Sequence, residues 1–429
     1  MDSCSGCFKI FDVLEEKKMA KHTIYLAGGC FWGTEKYLSQ IDGVLNTTVG
    51  YANGPTENPT YRDVCASSGH VETVKIEFDD TVIPLKFLLD MFYMIIDPVS
   101  LNKQGEDIGI QYRTGVYYVN SNDKSIIEKS LAELQNSYSE KLVVECKELE
   151  NFYEAEEYHQ KYLEKNPNGY CHVSESYFKC ASKATPPLKI FKNIRHMNNL
   201  RDLGGYRCKK DGKVSYTVHR VFLRGDTTAR LTYDECQLLI DNGLTLVVDL
   251  RSSNEIAMEP SAFRDFKGVK YLTTSMLDHI NSAVTLDEIP DSLEKLYCGA
   301  LEVVGADIAM VIRALAENKG AALFNCSAGK DRTGIVAMLL LDLVGVDRED
   351  IIKDYCETEK RIELIIAHEN EMHKRLNIPV PEKLLHAEKE TAQMFLDYLY
   401  KKHNGAEQYL LEQGLDEDII NKVKAKFIY

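Results

Sequence analysis

The chain has 429 residues, and its 66 acidic residues outnumber its 51 basic residues, which gives a formal charge of -15. At roughly 100–200 residues per domain, this length predicts two or three folded units, and we expect two. The negative charge repels nucleic acid and anionic lipid. The composition therefore excludes a nucleic-acid-binding protein and favours protein or small-molecule partners.

No segment of the sequence reads as a signal peptide or a membrane span. The first eighteen residues mix acids with a short apolar stretch, without a basic start and a long apolar core. The longest apolar run elsewhere, near 335–346, contains Asp342 and is too short to cross a bilayer. We expect a cytoplasmic protein with no integral membrane segment, in which the 12 cysteines are thiols rather than a disulfide framework.

A change in composition divides the chain. The segment SESYFKCASKATPPLK, residues 174–189, ends in the pair Pro186 and Pro187, which stops regular structure. The predicted organisation has four parts, which are an N-terminal extension (1–20), a first domain (21–174), a linker (175–189) and a second domain (190–429).

In chain order, the first domain begins with a predicted strand at 22–26, a turn at Gly28 and Gly29, and a helix at 31–40 whose first turn carries Cys30. The second domain contains predicted buried strands at 244–250 and 321–325, and a glycine-bearing turn leads from the latter into an apolar helix at 334–343. Both domains are therefore predicted to be of the α/β class.

The segment GCFWG places Cys30 where a helix is predicted to begin. The positive end of a helix dipole lowers the pKa of a thiol, and the thiolate is the reactive form. A buried structural cysteine beside two core aromatic residues is the alternative for a lone cysteine.

Further motifs give the first half a family resemblance. They occur in the order GCFWG, GYANG, PTYRDVC, SGHVE, QGEDIGIQYRTGVYY, AEEYHQKYL and KNPNGYCH, over residues 21–172. This segment resembles the A-class peptide methionine sulfoxide reductases. The resemblance implies an α+β sandwich of that type, which reduces methionine-S-sulfoxide in proteins and in the free amino acid.

The resemblance also implies roles for individual residues. Cys30 would attack the sulfoxide sulfur, while Phe31 and Trp32 form an apolar pocket for the methyl group. A sulfoxide oxygen is a poor leaving group unless it is protonated, and Glu72 in SGHVE matches the family's acid. Three polar residues match those that bond the oxygen or support the site, namely Tyr61, Tyr112 and Asp107.

Oxygen transfer would leave Cys30 as a sulfenic acid, which condenses with a second thiol to form a disulfide. Cys171 in GYCH matches the family's resolving position, and a thioredoxin-type protein is the implied reductant. Cys180 lies in the predicted mobile linker and is a candidate second, recycling thiol. Cys65 is interpreted as a packing residue.

The N-terminal segment contains CSGC, from Cys4 to Cys7, which has the spacing of a redox or half-metal motif. No strand is predicted before it and no second CxxC follows it. It is interpreted as a non-essential tail, and Met19 is an alternative start.

The second half contains NCSAGKDRTG, in which Arg332 follows Cys326 by six positions between a strand and an apolar helix. Backbone N–H groups of such a loop surround a phosphoryl group, and the arginine clamps two of its oxygens. The same surroundings favour a Cys326 thiolate, which takes the phosphoryl group before water removes it. A glycine turn with incidental charge is the alternative.

With NLRDLGGY, FLRGD and IIKDYCET, this half resembles the cysteine-dependent tyrosine and dual-specificity phosphatases, in a bacterial branch related to lipid phosphatases. The resemblance implies that Lys330 contacts phosphate and that Asp331 is the general acid, with Asp249 and Asp278 as competing carboxylates. The family usually has histidine before the cysteine, where this chain has Asn325.

Three functional interpretations stay open. They are a bifunctional reductase and phosphatase, a reductase with a phosphate-recognition module, and a redox-regulated phosphatase whose first half is a sensor. The nucleophile motifs favour the first. The expected partners are a thioredoxin-type reductant, proteins that contain methionine sulfoxide, and a phosphorylated protein or phosphoinositide. No cofactor or metal is implied, because both chemistries use thiols, carboxylates and phenols.

Overall fold

The computed structural model describes residues 21–210, 212–276, 297, 299, 301–376 and 386–429, with the side chains of 369 and 371–376 left out. The N-terminal extension with Cys4, Cys7 and Met19 lies outside the described residues, and so does Asp278. The chain divides into two compact units. The first consists of the residues up to Leu85, Ser100–Lys129 and Val143–His172, and the second of Lys86–Val99, Ser130–Leu142 and Val173–Tyr429.

The first unit is built on a six-stranded, mostly antiparallel sheet. Its strands run in the order β7-β6-β1-β3-β2-β8, and only β6 and β7 pair in parallel. They are β1 (Lys21–Gly28), β2 (Val44–Ala52), β3 (Val71–Asp79), β6 (Thr114–Tyr118), β7 (Glu145–Glu148) and β8 (Phe152–Glu154). A two-stranded ribbon, β4 (Lys103–Gln104) with β5 (Asp107–Ile108), lies between β3 and β6 in the chain.

Short helices connect these strands. They are α1 (Phe31–Leu38), α2 (Tyr61–Cys65), α3 (Leu85–Tyr93), α4 (Ser121–Gln135) and α5 (Tyr162–Lys165), and α6 (Glu175–Ala181) follows the first unit. Strands β1 and β3 are central and exchange hydrogen bonds along their length, with Ile24 opposite Ile76. Both of these side chains are fully buried, as expected for β-branched residues on the packed face of a sheet.

The second unit contains a five-stranded sheet in the order β14-β13-β15-β12-β9. All neighbouring pairs are parallel except β12 with β9. The strands are β9 (Arg201–Asp202), β12 (Phe222–Gly225), β13 (Leu244–Asp249), β14 (Lys270–Thr273) and β15 (Ala321–Asn325), and a hairpin is formed by β10 (Arg207–Lys210) and β11 (Lys213–Tyr216). Strand β15 is buried along its whole length, which explains its unbroken apolar run AALF.

Helices pack on both faces of this sheet. They are α7 (Tyr233–Asp241), α8 (Ser253–Met258), α9 (Gly305–Glu317), α10 (Asp331–Leu343), α11 (Arg348–Cys356), α12 (Ile362–Leu376), α13 (Lys389–His403), α14 (Ala406–Glu412) and α15 (Glu417–Phe427). Helix α10 is the centre of the larger core, because nearly all of its residues from Thr333 to Leu343 are buried. A smaller core on Leu223, Val247 and Leu323 includes α7.

The predicted elements have observed counterparts, and the α/β class is confirmed for both halves. The strand predicted at 22–26 is longer at both ends, and the helix predicted at 31–40 ends two residues earlier, at Leu38. The apolar helix begins at Asp331 rather than at Gly334. Within the part of the chain that the structure describes, no helix is both long and apolar enough to cross a membrane.

Candidate active sites

Cys30 lies where β1 turns into α1. Gly29 has a φ of +83°, and a Cβ atom there would lie 2.6 Å from Gln104 Cβ, so only glycine fits this turn. Cys30 is the N-cap residue of α1 and is 6% exposed. Strand β1 and helix α1 therefore place the Cys30 thiol at the N-terminus of α1, as the sequence predicts.

The pKa of Cys30 differs from the expectation. Burial raises it well above the usual range, the negative charges of Glu72 and Asp107 add to the increase, and the Trp32 N–H opposes it. The prediction that the helix lowers the pKa of Cys30 is thus wrong. A helix N-terminus does not by itself produce a thiolate. Here the loss of water on burial, together with the charges of two nearby carboxyl groups, outweighs the effect of the helix dipole.

Glu72 is the carboxyl group beside this thiol. It lies on β3, is 1% exposed and accepts a hydrogen bond of 3.1 Å from the Phe31 N–H. Burial raises the pKa of Glu72 to about 8, against the effect of the Phe31 N–H, and Asp107 contributes to the increase. Glu72 is therefore a protonated acid at neutral pH, next to the residue that follows the nucleophile.

Aromatic rings surround the start of α1. Phe31 is buried, with its ring centroid 6.4 Å from that of Trp32 and 5.3 Å from that of His159. The Trp32 indole N–H donates to His159 Nδ1 over 3.1 Å, and the indole ring stacks on Tyr162 at 3.8 Å between centroids. These contacts fix both rings of the predicted methyl pocket.

Tyr61 and Tyr112 belong to the same electrostatic environment as Glu72. Tyr61 opens α2, and its N–H donates to Glu156 Oε1 over 2.9 Å. Burial raises the pKa of both phenols, with Cys65 and then Glu72 contributing for Tyr61, and Glu72 and then Cys30 contributing for Tyr112. Both phenols are therefore neutral hydrogen-bond donors at physiological pH.

Asp107 lies close to the last residues of the first unit. Its Oδ2 lies 3.9 Å from His172 Nδ1, and Asp107 contributes, after burial, to the pKa of about 12 at Tyr170. Cys171 is a half-buried thiol outside any disulfide, and its charge adds to the increase in the pKa of Cys30. The structure thus brings the predicted nucleophile Cys30, the predicted acid Glu72, Asp107 and the predicted resolving thiol close enough to influence one another.

Two other cysteines of this half differ from their sequence interpretations. Cys180 lies in helix α6 and is half-buried, with a pKa that burial raises. The expectation of a thiol in a mobile linker is therefore wrong in its local structure, because residues 175–181 form a helix that begins after Ser174. Cys65 is exposed rather than packed, and its thiol interacts with the Tyr61 phenol.

In the second unit, Cys326 follows directly after β15, and the loop 326–330 leads into α10. The Gly329 N–H donates to Cys326 Sγ over 3.2 Å. Gly329 has a φ of +67°, and a Cβ atom there would lie 2.5 Å from the Gly225 carbonyl carbon. The loop therefore requires glycine at this position.

The carbonyl groups of this loop accept hydrogen bonds from residues outside the loop. The Ser327 carbonyl accepts the Thr227 N–H over 3.0 Å. The Ala328 carbonyl accepts the Asn199 amide over 3.0 Å, and the Gly329 carbonyl accepts the fully buried Arg224 guanidinium over 2.8 Å. Because a peptide's N–H points opposite to its carbonyl, anchoring three carbonyls outward directs the N–H groups inward, as an anion site requires.

Arg332 makes a bidentate ion pair with Glu255. Arg332 Nη1 lies 2.7 Å from Glu255 Oε2, and Nη2 lies 2.9 Å from Oε1. Burial would raise the pKa of Glu255, but Arg332 and the Ser252 hydrogen bonds lower it to about 2. Glu255 thus fixes the guanidinium plane of the predicted phosphate clamp.

The candidate general acids occupy different places. Asp331 is the first residue of α10, its side chain is 34% exposed, and it accepts the Tyr297 hydroxyl over 2.8 Å. Lys330 Nζ lies 3.4 Å from Asp331 Oδ1. Asp249 is fully buried and bonded by Arg251 at 2.7 Å, so it is a structural carboxylate. Of these two, only Asp331 has solvent access.

Asn325, where the related phosphatases have histidine, is fully buried on β15. Its Nδ2 is 3.5 Å from the Cys326 carbonyl, and its Oδ1 makes no hydrogen bond to the described residues. The side chain keeps its place behind the nucleophile but donates nothing to the Cys326 sulfur in this structure.

Sequence reasoning missed four residues that position these sites. His159 fixes Trp32, and Glu156 holds the start of α2. Arg224 and Glu255 do the equivalent for the phosphate loop and its arginine. His159 and Glu156 lie in the motif AEEYHQKYL, and Arg224 lies in FLRGD. The motifs therefore contain these residues, but only the fold shows which partner each side chain contacts.

Each of the two α/β units contains a buried thiol in a candidate site, and comparison with known proteins gives the families. The family model described as peptide methionine sulfoxide reductase matches residues 22–186, and the one described as tyrosine phosphatase family matches residues 192–429.

Curated relatives match the first half closely. Peptide methionine sulfoxide reductase MsrA of Lachnoclostridium phytofermentans is 58% identical over 163 residues, which are 38% of this chain and 98% of the relative. The same enzyme of Clostridium perfringens strain 13 is 62% identical over 151 residues, 35% of this chain and 96% of the relative. The reduced form of Saccharomyces cerevisiae Mxr1 has 37% identity over 36% of this chain and 91% of its own, with a TM-score of 0.35.

The chain belongs to the peptide methionine sulfoxide reductase family through its N-terminal half and to the tyrosine phosphatase family through its C-terminal half. Its N-terminal half is an enzyme that reduces peptide methionine sulfoxide.

Proposed function

We propose that the N-terminal domain, residues 21–174, reduces methionine-S-sulfoxide with Cys30 as nucleophile and Glu72 as acid. The observation that carries this proposal is the buried Glu72 carboxyl, which accepts the Phe31 N–H over 3.1 Å beside Cys30 and whose pKa burial raises to about 8. A protonated Glu72 donates to the sulfoxide oxygen while the Cys30 sulfur attacks the substrate sulfur. Tyr61 and Tyr112 stabilise the developing charge as neutral donors.

The steps balance with thiols alone. The sulfoxide oxygen leaves with the Cys30 sulfur as a sulfenic acid, and the product is the thioether of methionine. The Cys171 thiol then attacks this sulfenic acid, a disulfide forms and water is released. A protein dithiol of the thioredoxin type reduces the disulfide and restores both thiols. The influence of Cys171 on the pKa of Cys30 supports this pairing.

The test compares peptides that carry S- or R-methionine sulfoxide, with thioredoxin and thioredoxin reductase as the reductant. We expect turnover of the S epimer only. In Cys171→Ser, a single turnover without reductant still yields one thioether per protein, but steady turnover is lost. Equal multiple turnover by Cys171→Ser and the original chain would exclude Cys171 as the resolving thiol.

We further propose that the C-terminal domain, residues 190–429, hydrolyses phosphomonoesters through a phosphocysteine at Cys326. Support comes from the outward-anchored carbonyls of the loop, the Gly329 N–H directed at the sulfur, and the Arg332 guanidinium held by Glu255. Arg332 and Lys330 bind the phosphoryl oxygens, and Asp331 protonates the leaving oxygen. The substrates are phosphorylated proteins or phosphoinositides.

The second candidate is a phosphate-recognition module without turnover, which the unbonded Asn325 Oδ1 favours. Hydrolysis of an aryl phosphate by the full chain, compared with Cys326→Ser, separates the two functions. We expect release of phosphate that depends on Cys326. Phosphopeptide binding by both proteins, with equally poor hydrolysis, would establish the recognition module instead.

A further inference from the structure

The reductase site contains three metal-ligand side chains of different chemistry. Cys30 Sγ, one carboxylate oxygen of Asp107 and one imidazole nitrogen of His172 all lie within 4.8 Å of one another. They come from three separate parts of the unit, which are the start of α1, strand β5 and the segment after α5. The proposed reduction uses Cys30 and gives no step to the Asp107 carboxylate or to the His172 imidazole.

His172 is built into the site rather than exposed beside it. Its side chain is 5% exposed, and apart from a contact with the Gly28 backbone, neither ring nitrogen meets the geometry of a hydrogen bond to a described residue. Asp107 Oδ2, at 3.9 Å from His172 Nδ1, also lacks a hydrogen bond. Buried polar atoms are nearly always hydrogen-bonded, so these three atoms keep the capacity to bind a ligand, although the Asp107 carboxylate also interacts with the Tyr170 phenol.

The His172 side chain lies close to two glycine residues. A Cβ atom on Gly29 would lie 3.6 Å from His172 Nε2, and one on Gly105 would lie 3.7 Å from His172 Cβ. Both glycines have positive φ angles, +83° and +60°. The His172 side chain therefore lies beside both the turn before Cys30 and the β4–β5 turn.

We propose that these three residues form a site for Zn²⁺ or a similar borderline-soft divalent ion, which inhibits the reductase reversibly. Thiolate, imidazole and carboxylate are the donors that zinc prefers, and three protein ligands leave a fourth position for water. With bonds of about 2.0–2.3 Å, ligand atoms of a tetrahedral site lie roughly 3.3–3.8 Å apart, so a contraction of about 1 Å completes it.

Binding changes the chemistry of the nucleophile. The Cys30 thiol loses its proton to solvent, and its sulfur lone pair is donated to the metal ion. Cys30 is then unable to attack a sulfoxide and is shielded from alkylating reagents and peroxide. A chelator removes the ion and returns the free thiol. No electron transfer is involved, because Zn²⁺ has no redox chemistry in proteins.

The test uses Co²⁺ in place of Zn²⁺ on the full reduced chain, with Cys4→Ser and Cys7→Ser as background so that the CxxC pair binds no metal. A Co²⁺ ion bound by a thiolate gives sulfur-to-metal charge-transfer absorption, which Zn²⁺ then displaces. We expect this band to be lost in Cys30→Ser, and the Co²⁺ concentration for half-saturation to rise at least tenfold in His172→Asn and Asp107→Asn.

The matched control is His22→Asn, since His22 is an imidazole of the same unit that is hydrogen-bonded to Asp123, outside the cluster. It should bind Co²⁺ like the background protein. Protection of Cys30 from iodoacetamide by Zn²⁺, read by peptide mass spectrometry, provides a second measurement in the unmutated chain that does not depend on how any variant folds or turns over.

Two results would overturn the proposal. One is unchanged half-saturation in both His172→Asn and Asp107→Asn. The other is loss of the band in Cys171→Ser with retention in His172→Asn, because the ion would then be bound by the Cys30 and Cys171 thiols. Failure of the S-specific turnover would refute the proposed reductase mechanism without affecting either measurement, since both report metal binding directly.

Discussion

Cys30 and Cys326 are both buried thiols next to the start of a helix, but their neighbours differ. Around Cys30 lie the carboxyl groups of Glu72 and Asp107, and burial together with these charges raises the pKa of its thiol. Around Cys326 lies a loop whose carbonyls are tied outward and whose Gly329 N–H faces the sulfur. A helix N-terminus alone thus does not determine the reactivity of a thiol, because nearby charges and oriented N–H groups decide it.

The comparison also explains what each site attracts. A protonated carboxyl beside a neutral thiol suits an uncharged substrate whose oxygen needs a proton. Inward N–H groups with an arginine suit a dianion. Under the proposed functions, the two sites therefore use the same type of side chain on substrates of different charge.

The largest expected effects come from the two nucleophiles. Cys30→Ser should lower reduction of S-sulfoxide roughly a thousandfold or more and leave aryl phosphate hydrolysis unchanged, since a hydroxyl is a poor nucleophile without a base. Cys326→Ser should do the reverse. Both activities are measured on each purified variant. Loss of both in one variant would contradict independent sites.

Next in size is Glu72→Gln, which removes the acid but keeps the shape of the side chain. We expect a fall of ~10²–10⁴-fold in kcat. In the original chain, Glu72 holds its proton below its pKa of about 8, so kcat/KM should fall as pH rises through that value. The descending limb should be missing from the pH profile of Glu72→Gln. An identical limb in the variant would assign it to another group.

For the phosphate site, Glu255→Gln removes the carboxylate that orients Arg332. We expect about a 10²-fold loss of kcat/KM for an aryl phosphate, since a misplaced clamp loses both binding and transition-state contacts. Glu235→Gln is the matched control, because Glu235 and Glu255 are both the third helical residue of a capping box.

Glutamine also forms a capping box at this position, so both substitutions should cost at most ~1 kcal/mol of stability, which is measured by urea unfolding. Only Glu255→Gln should lower activity. Equal loss of activity in the two variants would show that the effect is one of helix stability and not of arginine orientation.

A smaller effect is expected from Gly329→Ala, compared with Gly243→Ala. Both residues have positive φ angles, +67° and +97°, so both variants strain the backbone by ~1 kcal/mol. A Cβ atom on Gly329 also meets the Gly225 carbonyl carbon, whereas one on Gly243 meets nothing within 4 Å. Phosphatase activity should fall about tenfold in Gly329→Ala only. Intact activity there would mean that the loop tolerates distortion.

The smallest effect is expected from Cys180→Ser. A helical, half-buried thiol with a raised pKa is a poor participant in disulfide exchange. Thioredoxin-driven turnover should therefore stay within about twofold of the original. A clear loss of steady turnover, with single turnover intact, would restore the recycling role for Cys180.

Much of the fold follows from local pattern. The strand 321–325 matches its prediction in full, because a buried parallel strand needs an unbroken apolar run, and its neighbour at 244–249 differs by one residue. The helical segment 175–181 was missed, since the prolines at 186 and 187 end regular structure only after it. Helix α10 begins three residues before the expected Gly334, because the loop is complete at residue 330 and Asp331 is the first residue after it.

The sequence by itself determined the two families and predicted the two nucleophiles, the acid Glu72 and the arginine clamp, because these depend on residue types at fixed local spacing. Only the tertiary structure decided the raised pKa of Cys30, the pairing of Arg332 with Glu255, the outward anchoring of the phosphate loop and the meeting of His172 with Asp107. These properties depend on burial and on contacts between residues that are distant in the chain, and no local pattern encodes either.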